Sequence, residues 1–139
     1  MARARVARLA TLDAEGRPQL VPFCLVLDGD TIYSAVDRKP KRTPRLRRLA
    51  NVRARPDVCV LVDHFEEDWT RLWWVRVDGR ARVLEAGPER ERALALLAAK
   101  YGQYRAEPPE GAVLAIDATR WSGWSAMWEG PPASTTLFS

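Results

Sequence analysis

The chain has 139 residues, 47% of them apolar and 29% charged, and carries a formal net charge of +4. This composition excludes a disordered chain, and no run reaches the ~18 apolar residues of a membrane-spanning helix. The length suits one domain over residues 1–139 that buries about two-thirds of its unfolded surface and needs no disulfide to fold.

Arginine supplies 19 of the 22 cationic side chains and lysine 3. A mildly basic chain fits a nucleic-acid partner or a binder of phosphates and acidic cofactors. The arginine and alanine bias points to GC-rich coding rather than a nucleic-acid face, so no nucleic-acid partner is expected. Residues 1–13 hold no long apolar stretch. No signal peptide is therefore expected, and the expected location is cytoplasmic. Cys24 and Cys59 each sit in an apolar run without a metal-ligand neighbour, which reads as two reduced core thiols and no metal site.

In chain order, Val6 to Leu12 reads as a first strand, closed by a turn at residues 13–16 with Gly16 in the permissive position. Gln19 to Leu27 reads as a longer strand in which Pro22 marks an edge or a bulge. Asp28-Gly29 then signals a hairpin into a strand from Asp30 to Val36. Pro40 and Pro44 break the pattern. Pro44 suits the first turn of a helix capped by Thr43, with Leu46, Leu49 and Val52 on one face and arginines on the other.

Val58 to Val62 is an apolar strand, and His64 to Thr70 an acidic loop. Leu72 to Leu84 contains a second Asp-Gly pair, at Asp78 and Gly79. The local rule prefers a hairpin there, against one long strand bent by a bulge. Glu89 to Tyr101 reads as a helix between Pro88 and Gly102, with Leu94, Leu97 and Tyr101 on one face. Ala112 to Ala118 is a last strand. Residues 1–5 and 130–139 are expected to be loosely ordered. Six strands and two short helices, mostly joined as hairpins, describe a mainly β, antiparallel barrel.

Two groups of residues could carry chemistry. Lys39, Lys41 and Arg42 lead into the helix start at Thr43. Cationic heads, a hydroxyl and unpaired helix N–H groups together make an anion cradle. The plainer reading is a solvated basic loop. The second group is the six tryptophans, at positions 69, 73, 74, 121, 124 and 128. Trp73 and Trp74 are adjacent in a strand and face opposite sides, so one can be core while the other meets solvent, a partner or a ring. His64 lacks triad partners, and no glycine-rich nucleotide motif is present. No catalytic acid or base can be named.

The order of these segments resembles the pyridoxamine 5′-phosphate oxidase-like split-barrel family over about residues 5–128. The resemblance rests on residues 6–22 with their D-x-x-G-x-P turn, the hairpin at 28–37, the lysine-bearing loop and helix at 39–51, the strand at 57–63, and the segments 69–83 and 116–124. Residues 69–83 are particularly similar to an actinobacterial subgroup regarded as F420-dependent. The resemblance implies a six-stranded split barrel, one long bent strand at 72–84 in place of the hairpin, and a homodimer with cofactor at the interface. It implies F420, or alternatively FMN, held by Lys39, Lys41, Arg42 and Thr43. Pro22, Phe23 and Ser34 would line the ring and ribityl chain, with Trp73 or Trp74 near the ring. The implied activity is hydride transfer to a small organic substrate. The alternatives are an FMN-dependent oxidase or reductase and a non-catalytic flavin or haem carrier.

Overall fold

The computed structural model describes residues 1–36, 43–127 and 135–137, with side chains throughout except at 43–46 and 135–137. Its elements are β1 (Ala7–Leu12), β2 (Pro18–Phe23), β3 (Val26–Asp28), β4 (Thr31–Ala35), α1 (Thr43–Ala54), β5 (Asp57–His64), β6 (Trp73–Leu84), α2 (Pro88–Lys100), α3 (Gly102–Ala106), β7 (Val113–Ser125) and β8 (Thr135–Leu137). Every pairing is antiparallel. The sheet runs β2-β1-β5-β6-β7-β4-β3, and β8 lies off this path beside β7. The mainly β, antiparallel architecture with short helices is therefore as expected, with seven strands in the path where six were counted.

The extra strand comes from the run Gln19 to Leu27, which breaks after Phe23. β2 and β3 are consecutive in sequence, with only Cys24 and Leu25 between them, yet lie at opposite ends of the sheet path. The sheet must therefore curl until its two edges meet, which makes a barrel. Leu25 at this junction is fully buried. Its backbone joins no ladder and is satisfied by side chains instead. Its N–H donates to the Tyr101 hydroxyl at 3.1 Å, and its carbonyl accepts from Lys100 Nζ at 2.7 Å. The hydroxyl proton lies within reach of two carbonyls, Arg5 at 3.0 Å and Leu25 at 3.1 Å. Arg5 in turn donates to the Lys100 carbonyl at 2.6 Å.

Alternation along the strands places Leu9, Val60, Val77, Leu114 and Ile116 inside the barrel, all fully buried. Each such aliphatic side chain stabilises the fold by about 2 kcal/mol. Val52 of α1 closes one end of this core. α2 starts at Pro88 after Gly87, whose φ of 104° a glycine tolerates. Glu89 and Glu91 in its first turn and Lys100 in its last complement the helix dipole. α2 buries Ala93 in a second cluster with Tyr33, Val113 and Ala115, on the outer face of β4 and β7.

β6 is the single long strand that the resemblance implied, and the hairpin is not formed. The irregularity lies opposite it, where Asp78 pairs Arg120 and Gly79 pairs Ala118. Thr119 is thus the extra residue, and its hydroxyl donates to the Asp78 carbonyl at 3.0 Å. A Cβ on Gly79 would stand 2.7 Å from the Asp117 carbonyl oxygen and 2.9 Å from Ile116 Cγ2. Gly79→Ala should cost about 1–3 kcal/mol of stability through this backbone clash. Tyr101→Phe should cost about 1–3 kcal/mol by stranding the buried Leu25 N–H. Denaturant unfolding checks both, and midpoints equal to that of the parent chain would contradict the two contacts.

Candidate functional site

The turn between β1 and β2 is built on Asp13. Its Oδ1 accepts from the Arg17 N–H at 2.8 Å and the Glu15 N–H at 3.0 Å, and its Oδ2 accepts from Arg17 Nε at 3.1 Å. Gly16 at φ 82° lets the chain reverse. These donors, the Arg17 N–H first, hold the Asp13 carboxyl below the usual carboxylate range. α1 is tied to the turn from the other side. Asn51 Nδ2 donates to Thr11 Oγ1 at 3.1 Å, both residues being buried, and Arg55 donates to the Ala14 carbonyl at 3.1 Å.

Between turn and helix lies an open groove of about 660 Å³, lined by Asp13, Glu15, Arg17, Gln19, Arg47 and Asn51 among others, with Arg17 paired to both carboxylates. Arg47 is exposed and has no hydrogen bond or ion pair among the described residues. It stands one helical turn after Thr43, and the first turn of α1 carries no acidic residue. The positive end of that helix is therefore uncompensated. Such a groove can receive an anion.

The expected cofactor residues divide into three sets. Lys39, Lys41 and Arg42 lie outside the described residues, and Thr43 is described only as the first residue of α1. Phe23 and Ser34 point into the barrel, at 5% and 1% exposure, and Trp73 is half-buried at its rim against the core. Pro22 and Trp74 face outward with Leu61, Arg76, Ser122 and Trp124, on a part of the sheet that no described helix covers. On this face Arg76 Nε and Ser122 Oγ are buried without a hydrogen-bond partner. Arg76 reaches only a 3.8 Å ion contact with Asp78. Arg17, Gln19 and Asn51 were not singled out from sequence. The D-x-x-G-x-P turn was the one signal pointing to them.

Cys24 and Cys59 are free thiols, half-buried rather than core. Burial, helped by Asp78, pushes the Cys59 thiol up to about 11, so it is inert near neutrality. Among the described residues no group of three or more His, Cys, Asp or Glu side chains could hold a metal. No helix among them is long and apolar enough to cross a membrane.

A family model described as pyridoxamine 5′-phosphate oxidase matches residues 1–125. The chain belongs to that family. No curated protein matches it. Several solved structures share the fold. A haem-binding protein from Mycobacterium smegmatis superposes with TM-score 0.76 at 18% identity, over 98% of this chain and 54% of its own. The present chain thus spans about half the length of that protein. A FAD-binding protein from Mesorhizobium loti superposes with TM-score 0.67 at 23% identity, over 88% and 86% of the two chains. The haem storage protein HutZ from Vibrio cholerae gives TM-score 0.65 at 16% identity, over 82% and 81%. The structural relatives of this family member thus include both flavin and haem binders.

One charged cluster locks α2 onto the barrel of this oxidase-family chain. Arg82 holds Glu89 through two bonds of 2.9 Å and Asp117 through bonds of 2.6 and 3.0 Å. The Tyr33 hydroxyl donates to Glu89 at 2.8 Å. The Arg82 bonds, then the Tyr33 bond, lower the Glu89 carboxyl from 4.5 to about 2. Its contribution is complete above pH 4.5 and is lost as pH falls toward 2. Glu89→Gln should therefore flatten the decline of thermal midpoint across that interval. An acid limb as steep as the parent's would contradict the assignment.

Proposed function

We propose that the chain binds a flavin-type cofactor with an anionic tail, F420 in the first instance and FMN as the alternative, at an interface between two copies. The observation that carries this reading is the groove beside α1, where Arg47 has no partner among the described residues and the first turn of the helix carries no acid. An anion there satisfies both. Lys39, Lys41, Arg42 and Thr43, just before that turn, would add cationic heads and a hydroxyl. F420 carries an acidic tail, and the surplus arginine of α1 suits it.

The uncovered sheet face supports the homodimer. Leu61, Trp74 and Trp124 offer apolar and aromatic area there. The unsatisfied Arg76 Nε and Ser122 Oγ call for polar groups from outside the described residues. A second copy placed on this face would bring Pro22 and Trp74 against a shared ring, with Phe23 and Ser34 supporting it from the barrel. The bound cofactor supplies hydride chemistry, and the chain binds, orients and shields the ring. That division of labour agrees with the lack of an assigned acid or base. The activity proposed is hydride transfer to a small organic substrate. Free thiols at Cys24 and Cys59 suit a reducing, cytoplasmic setting.

The haem carrier is a second reading, favoured by the likeness to the mycobacterial haem-binding protein and to HutZ. Titration with F420, FMN and haem, followed by tryptophan quenching, separates the readings. F420 should bind most tightly, and Arg47→Ala and Lys41→Ala should each weaken it about tenfold, the worth of one charge-assisted phosphate contact. Tighter binding of haem with no effect of either variant would replace this reading by the carrier.

A further inference from the structure

A second groove, of about 630 Å³, opens at the other end of β1. Its walls include Met1, Arg3, Val62, Asp63, His64 and Trp73. The N-terminal arm turns back on itself, with the Ala4 N–H donating to the Met1 carbonyl at 3.0 Å, and Met1 and Ala4 pack against the core. Arg5 pins the arm to the end of α2. The groove is therefore bounded by a fixed arm on one side and the rim of β5 and β6 on the other. β1 separates it from the Arg47 groove by six residues, about 20 Å. The two grooves are distinct, and this inference does not rest on the cofactor reading.

The chemistry of the walls selects a ligand class. His64 and Trp73 are register partners, and their rings lie within 16° of parallel with centroids 6.1 Å apart. They form an aromatic platform beside apolar Val62 and Met1. Glu66 fixes the histidine through a hydrogen bond to Nε2, and Arg71 approaches the same carboxylate at 3.4 Å. An ionised carboxylate only accepts, so Nε2 carries a proton. Arg3 is exposed and has no hydrogen bond or ion pair among the described residues, so it is free to take a carboxylate. In the neutral ring, His64 Nδ1 would accept from a ring hydroxyl or N–H.

We propose that this groove is a ligand site for a planar aromatic acid bearing a ring hydrogen-bond donor. The ring stacks on the Trp73–His64 platform, the carboxylate pairs with Arg3, and the donor meets His64 Nδ1.

The test is calorimetric titration of the full chain with 4-hydroxybenzoate and indole-3-carboxylate, with cyclohexanecarboxylate as the non-aromatic control. Saturable binding of the aromatic acids is expected, with the control at least about tenfold weaker. Arg3→Ala should weaken binding about fivefold, the worth of an exposed charged contact. His64→Ala should weaken it by a similar factor, whereas Arg47→Ala should leave it unchanged. Trp73→Leu should abolish binding. Because Trp73 touches the core, the exposed Arg3 and His64 variants carry the test should Trp73→Leu fail to fold. Absence of saturable binding, equal binding of cyclohexanecarboxylate, or unchanged affinity in both Arg3→Ala and His64→Ala would overturn the proposal. Loss of cofactor binding in Arg47→Ala alongside intact aromatic-acid binding would leave both readings standing separately.

Discussion

The barrel depends on how one residue, Leu25, is held. Two strands at opposite ends of the sheet path meet there, and neither offers a ladder partner to its backbone. A buried amide and carbonyl without partners would cost several kcal/mol together. Tyr101 and Lys100, at the end of α2, take their place. Burial, with the nearby Arg5 charge, pushes the Lys100 ammonium down, and burial pushes the Tyr101 phenol up. The two side chains are thus partly desolvated to make this closure. They also gather Arg5, whose guanidinium lies 5.6 Å from the centre of the Tyr101 ring. Edge closure, helix docking and placement of the N-terminal arm thus share the same three side chains.

From that closure follows the division of the outer surface. α2 is anchored at one end by Tyr101 and at the other by Glu89 on Arg82, so it must lie across β4 and the first half of β7. Among the described residues no helix lies over the outward positions Pro22, Leu61, Trp74 and Arg76 of β2, β5 and β6. Both candidate grooves border this half of the barrel, one at each end of β1. The asymmetry leaves Trp74, Trp124 and the unsatisfied Arg76 Nε and Ser122 Oγ together on the uncovered face.

Much of the fold was legible because it is local. The Asp28-Gly29 hairpin, the Pro88 helix start and the Asp13 turn each rest on contacts within a few residues. What was not legible depends on distant partners. The break after Phe23 is set by Tyr101 and Lys100, 76 and 75 residues further along the chain from Leu25. Asp78-Gly79 looks locally identical to Asp28-Gly29, yet the two glycines serve different ends. Gly29 sits at φ 60° and turns the chain, whereas Gly79 has no positive φ and makes room for the Asp117 carbonyl. For the site, the basic run and the D-x-x-G-x-P turn could be read as motifs. The pairing of Arg47 with that turn, and of His64 with Trp73, arises only when strands are brought together.

The extra residue in β7 has a consequence of its own. Before Thr119 the outward positions are odd-numbered, Val113, Ala115 and Asp117, and they serve the underside of α2. After it they are even-numbered, Ser122 and Trp124, and they serve the uncovered face. One strand therefore carries two alternation frames, and Thr119 is the point where the frame shifts. Were the ladder to run on without the bulge, with Thr119 paired like any other residue, Trp121 would turn outward and Trp124 inward, whereas deleting Thr119 would keep both on their present faces.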